Sequence, residues 1–352
     1  RCLRRRGEFL QARAQLEPLA QGGTLALRRD AGYEIALCAD ALGTADLAWS
    51  HAERANRLAE QAAPHAFKDG QDFLLQIQGL YARFTPEWVA AWPALPAAAA
   101  APVPAFLAGF PRSGTTLLDS MLDGHPDIVV LEERATEQAM IATLNQLPGG
   151  YPEALGPLTS GQHAQVTESY FRAAALAEGD RRRVVDKSPF LTVHLGMVQR
   201  VFPGAAVIFM LRHPCDVVLS CFMTSLELNS GTVHFTRINT SVELYCKVMS
   251  LWQHYCEVLP LNMLQVRYED LLDRPETKLR QVLDFLGLPW SAEVLRHTEH
   301  VPGRGNIKSA SYAQVSRPVY QSSRDRWQRY RKYLEPHLEQ LRPWCERFGY
   351  AL

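Results

Sequence analysis

The sequence has no charge excess, no paired cysteine motif and no long apolar run. Its formal net charge is zero, which argues against a general nucleic-acid binder and a polybasic membrane binder. No uninterrupted apolar run reaches the roughly 18 residues that a membrane-spanning helix needs. The seven cysteines are odd in number and form no C-x-x-C pair, so we expect neither a disulfide framework nor a zinc site. Free thiols in a reducing compartment, the cytoplasm, fit this pattern better.

The first hundred residues also have few strand formers. They are rich in Ala, Leu, Gln and Arg and show helical periodicity. A glycine followed 5, 9 and 12 positions later by small or aliphatic residues occurs at Gly7 and again, 36 residues on, at Gly43. This period is close to the ~34 residues of tetratricopeptide repeats, with a plain helical bundle as the alternative. We predict one helix ending near Leu42 and another over 44–61. Because no helix precedes Gly7, we expect the repeat to be truncated at its N-terminus.

A proline- and alanine-rich stretch over 93–104 is typical of a linker, and it contains five consecutive alanines. With 352 residues, the chain is long enough for one large domain and a smaller one. We therefore predict a helical tetratricopeptide-like segment over 1–92, the linker over 93–104, and a second domain over 105–352.

The second domain alternates short apolar runs with helical stretches, which predicts right-handed βαβ units and a parallel sheet. The predicted strands span 103–108, 128–131, 184–185, 205–211 and 264–268. The predicted helices span 117–122, 192–202, 217–226, 241–259, 275–286 and 326–348. Ligands of such sheets bind at the carboxyl ends of the strands, so the polar residues that follow each strand are candidates for function.

The first strand leads into Gly109-Phe110-Pro111-Arg112-Ser113-Gly114-Thr115-Thr116 and then into a helix. A strand, a turn with two glycines and a helix start direct backbone amides towards a phosphate, and the spacing is that of a P-loop. Thr115 stands where nucleotide triphosphatases carry a lysine, and the positive charge lies earlier, on Arg112. The loop therefore predicts a site for a 5′-phosphate-type group without a metal-bound triphosphate. An ordinary βα turn is the alternative.

Polar residues follow three further strands. Glu132 and Glu133 come after the second strand, Asp186-Lys187-Ser188-Pro189 after the third, and Arg212 after the fourth. Ser220 lies in the following helix, so Arg212 and Ser220 could both bind a further phosphate. Each residue alone could be a solvated cap, but four strand ends meeting at one sheet edge predict a site.

Several of these motifs resemble those of sulfotransferases. The loop over 110–116 resembles the 5′-phosphosulfate loop of that family, and Arg212 with Ser220, eight residues apart, resembles its 3′-phosphate site. The resemblance is greatest to tyrosylprotein sulfotransferases and to bacterial sulfotransferases with tetratricopeptide repeats, and it extends from Ala105 to Tyr330. The matching motifs occur in the family's order: P-R-S-G-T-T-L-L, D-G-H-P, E-E, D-K-S-P-F, F-P-x-A, R-H-P-x-D-x-x-x-S, Y-E-D-L, F-L-G-L-P-W and Q-V-x-R-P-V-Y.

The resemblance implies an α/β P-loop-like fold of three layers and 3′-phosphoadenosine 5′-phosphosulfate (PAPS) as sulfuryl donor, with no metal. It makes Glu133 the general base, and makes Arg112, Lys187 and Ser311 the residues that hold the sulfuryl group and the leaving phosphate. The residues implied to bind the nucleotide are Pro111, Arg112, Ser113, Gly114, Thr115, Thr116, Arg212, Ser220, Tyr268, Ser311, Gln314, Arg317, Tyr320 and Arg326. The sequence departs from the animal enzymes at Thr224, where they have an arginine, and at Arg326, where they have a lysine.

The identity of the base stays open between neighbouring residues. A hydroxyl acceptor must lose its proton to a positioned base. Glu133 suits this role, and its 21-residue spacing from Arg112 favours it. Glu132 competes, because adjacent residues of an extended segment point to opposite sides. His125 and His213 are weaker candidates, since each precedes a proline in a turn.

We expect the acceptor to be a hydroxyl on a sizeable substrate, a peptide tyrosine, with a glycan or a small phenol as alternatives. The segments 138–150 and 227–236 are expected to form its site. Tetratricopeptide-like helices form concave surfaces that bind extended chains, although they could instead only mediate a homodimer or support the sheet. Two other functions stay open: a P-loop kinase or nucleotidase, which predicts a lysine at 115, and a helical-repeat scaffold with an inactive second domain.

Overall fold

The computed structural model describes residues 2–95, 103–177, 179–188, 190–296 and 324–352. These residues group into two compact units. Within the described ranges, the helical unit comprises 2–76, 213–247 and 324–352, and the sheet unit comprises 77–212 and 248–296. The domain boundaries that the sequence places at the proline- and alanine-rich stretch stay a prediction.

Six helices lie among the described residues before the first strand, so the prediction of an all-helical N-terminal segment is confirmed. They are α1 (Cys2–Arg5), α2 (Phe9–Gln21), α3 (Leu25–Ala41), α4 (Ala45–Ala62), α5 (His65–Arg83) and α6 (Pro86–Ala90). Gly43, with φ 76°, turns the chain between α3 and α4, as predicted. Small residues let these two helices approach closely, because a Cβ on Gly32 would lie only 3.1 Å from the Cβ of Ala55.

The sheet unit contains five strands, and every pair of neighbours in the sheet is parallel. The strands are β1 (Ala105–Gly109), β2 (Ile128–Glu132), β3 (Arg183–Lys187), β4 (Ala206–Leu211) and β5 (Asn262–Arg267), in the order β2-β3-β1-β4-β5. β1 and β4 are buried along their whole length, which explains why they read as continuous apolar runs. The five predicted strands and their parallel arrangement are confirmed.

Eight α-helices follow among the described residues between β1 and residue 296. They are α7 (Thr115–Leu122), α8 (Thr136–Leu144), α9 (Ser160–Ala174), α10 (Leu195–Val201), α11 (Pro214–Phe222), α12 (Ile238–Val258), α13 (Tyr268–Asp273) and α14 (Pro275–Leu286). α11 begins three residues earlier than predicted, because Pro214 occupies its first turn and the His213 side chain accepts a hydrogen bond from the Cys215 amide. α8, α9 and α13 were not predicted from the sequence.

Helices cover both faces of the sheet. On one face, Leu107 of β1 and Ile208 of β4 belong to an apolar core that includes Leu118 of α7 and Leu283 of α14. On the other face, Phe106 of β1 contacts Tyr170 of α9, with ring centres 6.0 Å apart, and Phe209 of β4 stacks on Trp252 of α12 at 4.5 Å. The predicted three-layer α/β fold is therefore confirmed.

The prediction of a single helix over 326–348 is wrong. The chain forms a 3₁₀ turn at Arg326–Tyr330, helix α15 (Arg331–Leu334), a second 3₁₀ turn at Glu335–His337, and helix α16 (Leu338–Arg347). Pro336 lies in the second 3₁₀ turn, and proline has no N–H with which to continue an α-helical ladder. The helical periodicity of this stretch therefore comes from four short helical elements in succession and not from one long helix.

Across the described ranges, none of the helices combines the length and the apolar character that crossing a membrane would require.

Two carboxyl groups of the sheet unit are buried beside each other, on α8 and β3. The exposed fraction is 6% for Glu137 and 1% for Asp186. Burial disfavours the charged form and raises the pKa of Glu137 from 4.5 to about 7, with a further contribution from Asp186. Burial likewise raises the pKa of Asp186 from 3.8 to about 6, although the Thr136 hydroxyl donates to its Oδ2 at 2.7 Å. At neutral pH this pair therefore carries an unfavourable buried charge.

Replacing Glu137 by glutamine should remove a pH-dependent destabilisation. In the folded protein the raised pKa lets the carboxyl keep its proton up to about pH 7, while the unfolded chain loses it near pH 4.5. Stability therefore falls as the pH rises through this window. The pKa shift of Glu137 corresponds to a loss of about 3 kcal/mol in the free energy of unfolding. At about pH 8, Glu137→Gln should unfold at a higher temperature than the parent chain, and below about pH 4.5 the two should be alike.

The matched control is Glu276→Gln, which changes a carboxylate whose side chain is 55% exposed on α14. This variant should follow the parent chain at every pH. Thermal unfolding of the three proteins across this range tests the assignment. If the unfolding temperatures of Glu137→Gln and of the parent chain changed in parallel with pH, the raised pKa of Glu137 would be contradicted.

Candidate active site

The carboxyl ends of the five strands lie along one edge of the sheet, because all the strands are parallel. β1 ends at Gly109 and continues into the loop that precedes α7. β2 ends at Glu132, directly opposite Lys187 at the end of β3. β4 is followed by Arg212, and β5 by Tyr268. The four strand ends singled out from the sequence thus meet at one edge, and β5 adds a fifth.

The loop after β1 is closed by hydrogen bonds at both of its ends. The Ser113 amide and hydroxyl both donate to the carbonyl oxygen of Phe110, at 3.1 and 2.6 Å. The Gly109 amide donates to Thr192 Oγ1 at 3.1 Å, and the Thr192 hydroxyl donates to the Gly109 carbonyl at 3.0 Å. A Cβ on Gly109 would lie 2.9 Å from the carbonyl oxygen of Met210, so only glycine fits here.

The second loop glycine, Gly114, caps α7 and lies against an aromatic ring. Its φ of 104° is unfavourable for other residues, and a Cβ there would collide with the ring of Tyr268. α7 begins at Thr115, and Thr116 follows; both are 6% exposed. The start of α7 therefore directs its first amide groups towards the loop, which is the arrangement that binds anions.

Arg212 joins the loop to the same ring. Its Nη1 donates to the carbonyl oxygen of Arg112 at 3.1 Å, and its guanidinium carbon lies 4.8 Å from the ring centre of Tyr268. The structure therefore brings together four residues that the sequence predicts to bind a nucleotide: Arg112, Gly114, Arg212 and Tyr268.

Arg112 and Glu133 have an unusual backbone conformation. Among the described residues, four that are not glycine have positive φ, and these two are among them, at 71° and 49°. Such conformations cost of order 1–3 kcal/mol and persist where the surrounding structure enforces them. The strain therefore falls on the residues that the sequence predicts to hold the sulfuryl group and to act as base.

Lys187 is 0% exposed and lies among carboxylates. Its Nζ is 3.0 Å from Glu133 Oε1, 3.3 Å from Glu132 Oε1 and 3.4 Å from Asp119 Oδ2. Burial alone would lower the pKa of Lys187, but these carboxylates outweigh it and raise the pKa, so the side chain is an ammonium ion. The Glu133 amide also donates to the Lys187 carbonyl at 2.9 Å, which continues the β2–β3 pairing.

Asp119 was not predicted from the sequence to belong to the site. It lies four residues after Thr115, within the apolar run of α7, and is 0% exposed. The only sequence signal was a charged residue on an otherwise apolar helix, and that pattern does not indicate its partner.

Both histidines considered as bases have their ring nitrogens in structural hydrogen bonds. His125 Nε2 lies 2.9 Å from the Pro289 carbonyl, and its Nδ1 accepts from the Asp127 amide. His213 Nδ1 accepts from the Cys215 amide, and its Nε2 lies 2.9 Å from the Ala351 carbonyl. Both ring nitrogens of each histidine are thus engaged with the backbone. His213 also lies near the thiols of Cys215 and Cys345, and the possible ligand atoms of these three residues are within 4.8 Å of one another.

Two predicted nucleotide-binding residues belong to the helical unit. Ser220, on α11, is buried, and its carbonyl accepts from the Thr224 hydroxyl at 2.6 Å. Arg326 pairs with Asp40 of α3, with Nε 3.0 Å from Oδ2. Four other predicted site residues lie outside the described residues: Ser311, Gln314, Arg317 and Tyr320.

Comparisons with known proteins identify the family of the chain. The model of the sulfotransferase family matches residues 104–292. The chain is 29% identical over 251 residues to an uncharacterized protein of Aquifex aeolicus, a match that covers 68% of this chain and 32% of that protein. It is also 29% identical over 237 residues to protein-tyrosine sulfotransferase A of Caenorhabditis elegans, with 63% of this chain and 60% of that protein covered. The chain thus spans less than two thirds of each of these relatives.

Among solved structures, the sulfotransferase domain from the Synechococcus PCC 7002 olefin synthase is similar at 22% identity and a TM-score of 0.46. This match covers 74% of the chain and 99% of that domain. The family model alone matches more than half of the 352 residues, so the chain belongs to the sulfotransferase family.

Proposed function

We propose that the protein transfers the sulfuryl group of PAPS to an acceptor hydroxyl. The observation that carries this proposal is the buried Lys187 ammonium in contact with Glu133, at the sheet edge that also holds the loop after β1. A cation for the leaving oxygen and a carboxylate for the acceptor proton are the two groups that this reaction needs. Membership of the sulfotransferase family supports the same reaction.

The donor would bind along the loop and the neighbouring strand ends. The first amides of α7 and the Arg112 side chain would hold the 5′-phosphosulfate. Arg212 would bind the 3′-phosphate, and Tyr268 would support the nucleotide, while the 3′-phosphate role implied for Ser220 stays a prediction. Glycine at 109 and 114 keeps side chains out of the loop, which leaves its backbone open to an anion. The donor roles implied for Arg326 and for residues 311–320 stay predictions.

Sulfuryl transfer is an in-line displacement that depends mainly on positioning and charge. Glu133 would accept the proton of the acceptor hydroxyl as that oxygen attacks sulfur. Lys187 would neutralise the bridging oxygen as it leaves, and Arg112 and the loop amides would hold the remaining sulfuryl oxygens. Because the sulfuryl group carries less charge than a phosphoryl group, these residues can perform the step without a metal.

A peptide tyrosine is the acceptor that we favour. The relatives include protein-tyrosine sulfotransferases, such as the Caenorhabditis elegans protein. The helices before the sheet unit, with their tetratricopeptide-like spacing, are suited to hold an extended chain. A glycan or a small phenol remains the alternative acceptor. A homodimer and a cytoplasmic location stay predictions.

Replacing Arg212 by alanine should weaken binding of 3′-phosphoadenosine 5′-phosphate (PAP), the nucleotide product. Loss of a charge-assisted contact worth about 1.5–3 kcal/mol corresponds to roughly ten- to a hundredfold in affinity. Calorimetric titration with PAP measures this change in affinity. Arg274→Ala, which changes a surface arginine with a 63% exposed side chain, is the control and should bind like the parent chain. Unchanged affinity in Arg212→Ala would remove this residue from the donor site.

The two neighbouring glutamates provide a matched test of the base. Glu133→Gln should lower turnover on the order of 10²–10⁴-fold, because general-base catalysis contributes about that much. Glu132→Gln should lower it less, although both side chains contact Lys187. PAP binding should survive in both variants. The reverse order of activities would make Glu132 the base, and full activity in both would place the base elsewhere.

A further inference from the structure

The Lys187 ammonium has more counter-ions than its own charge requires. Three carboxylates lie within 3.4 Å of Nζ, from Asp119 on α7 and from Glu132 and Glu133 at the end of β2. The nearby Asp186 adds a further acidic group on β3 itself. With the three carboxylates ionised, the cluster has a net negative charge. An anionic donor can use Lys187 only if at least one of these contacts is given up.

Burial divides the three carboxylates into two kinds. The side chains of Asp119 and Lys187 are both 0% exposed, whereas those of Glu132 and Glu133 are 17% and 31% exposed. The two glutamates therefore lie on the solvent side of the ammonium, from which substrates must enter. Asp119 lies on the side of the ammonium that is closed to solvent. It belongs to α7, the helix that follows the loop after β1.

This asymmetry predicts which contact is exchanged. Moving a glutamate away from Nζ exposes its carboxylate to water or to an incoming group. Moving Asp119 away would instead separate two charges that are both 0% exposed without bringing either of them into water, which is unfavourable. The contact with Asp119 is therefore the permanent one, and the contacts with Glu133 and Glu132 are replaceable.

We propose that Asp119 is the positioning residue of Lys187, so that the ammonium can exchange Glu133 for the leaving-group oxygen of the donor and thereby release Glu133 as a base. This proposal rests on the proposed function. Before the donor binds, Lys187 occupies the carboxylate that must accept the acceptor proton. After it binds, that carboxylate is available. The donor therefore binds first, and the acceptor hydroxyl finds its base only in the donor-bound protein.

The donor and the acceptor together account for every bond formed and broken in the sulfuryl transfer. The acceptor oxygen forms a bond to sulfur, and its proton passes to the Glu133 carboxylate. The bond between sulfur and the bridging oxygen breaks, and its electron pair stays on that oxygen. Lys187, held by Asp119, compensates the new negative charge there.

The test is Asp119→Asn, which keeps the shape of the side chain and removes its charge. We expect turnover to fall by roughly tenfold or more, with PAP affinity changed only a few-fold. The alkaline limb of the pH–rate profile should move to lower pH by about 1–3 units, because Lys187 loses a close counter-ion. A merely structural role would not move this limb. Ser120→Ala, which changes the next residue of α7, is the matched control; that side chain is 1% exposed and donates to the Leu117 carbonyl.

If Asp119→Asn keeps the turnover and the pH profile of the parent chain, the positioning role is wrong. If the parent chain transfers no sulfuryl group from PAPS, the proposed function fails, and this inference fails with it. Sulfuryl transfer by the parent chain together with an unaltered Asp119→Asn variant would reject the positioning role alone.

A second measurement needs no variant at position 119. It tests the release of Glu133 directly, also if Asp119→Asn does not fold. A phenol is titrated into the parent chain with and without saturating PAP. We expect tighter binding with PAP, because the released Glu133 can accept a hydrogen bond from the phenol hydroxyl, and we expect Glu133→Gln to lose this difference. Equal phenol affinity with and without PAP in the parent chain would overturn the release of Glu133.

Discussion

A buried ammonium ion organises the candidate site. Lys187 has no exposed surface, and an isolated charge in such a position would be strongly unfavourable. Its carboxylate partners come from two other elements: α7 supplies Asp119, and the end of β2 supplies Glu132 and Glu133. The pairing of β2 with β3 and the position of α7 after the loop that follows β1 are therefore linked through one side chain. Stability and the proposed chemistry depend on the same contacts.

Backbone geometry provides the second constraint on this edge of the sheet. Gly109 and Gly114 sit where a Cβ would collide with Met210 or Tyr268, and Arg112 and Glu133 adopt positive φ. The surrounding parallel strands maintain these conformations, and the loop is further fixed by Ser113. The groups proposed to bind sulfate and to accept a proton are thus positioned before any substrate arrives, which is the condition for catalysis by preorganised charges.

The sequence predicted the parallel sheet and the loop because buried strands and glycine turns leave local signals. β1 and β4 read as continuous apolar runs, and the glycines at 109 and 114 mark the loop by their spacing. Asp119 could not be predicted, because its partner is 68 positions away in sequence and only the fold brings the two together. The break at Pro336 was missed because helical periodicity continues on both sides of it. The buried position of Glu137 depends likewise on packing that no local pattern records.

The proposed reaction at this edge of the sheet moves a sulfuryl group from PAPS to a hydroxyl. Its most direct test is incubation of the chain with PAPS radiolabelled in the sulfuryl group and a panel of tyrosyl peptides, phenols and glycans, in the presence of a metal chelator. The account predicts that label appears in at least one hydroxyl acceptor and that PAP accumulates in equal amount. Failure to label any acceptor, by a folded protein that binds no PAP, would contradict it.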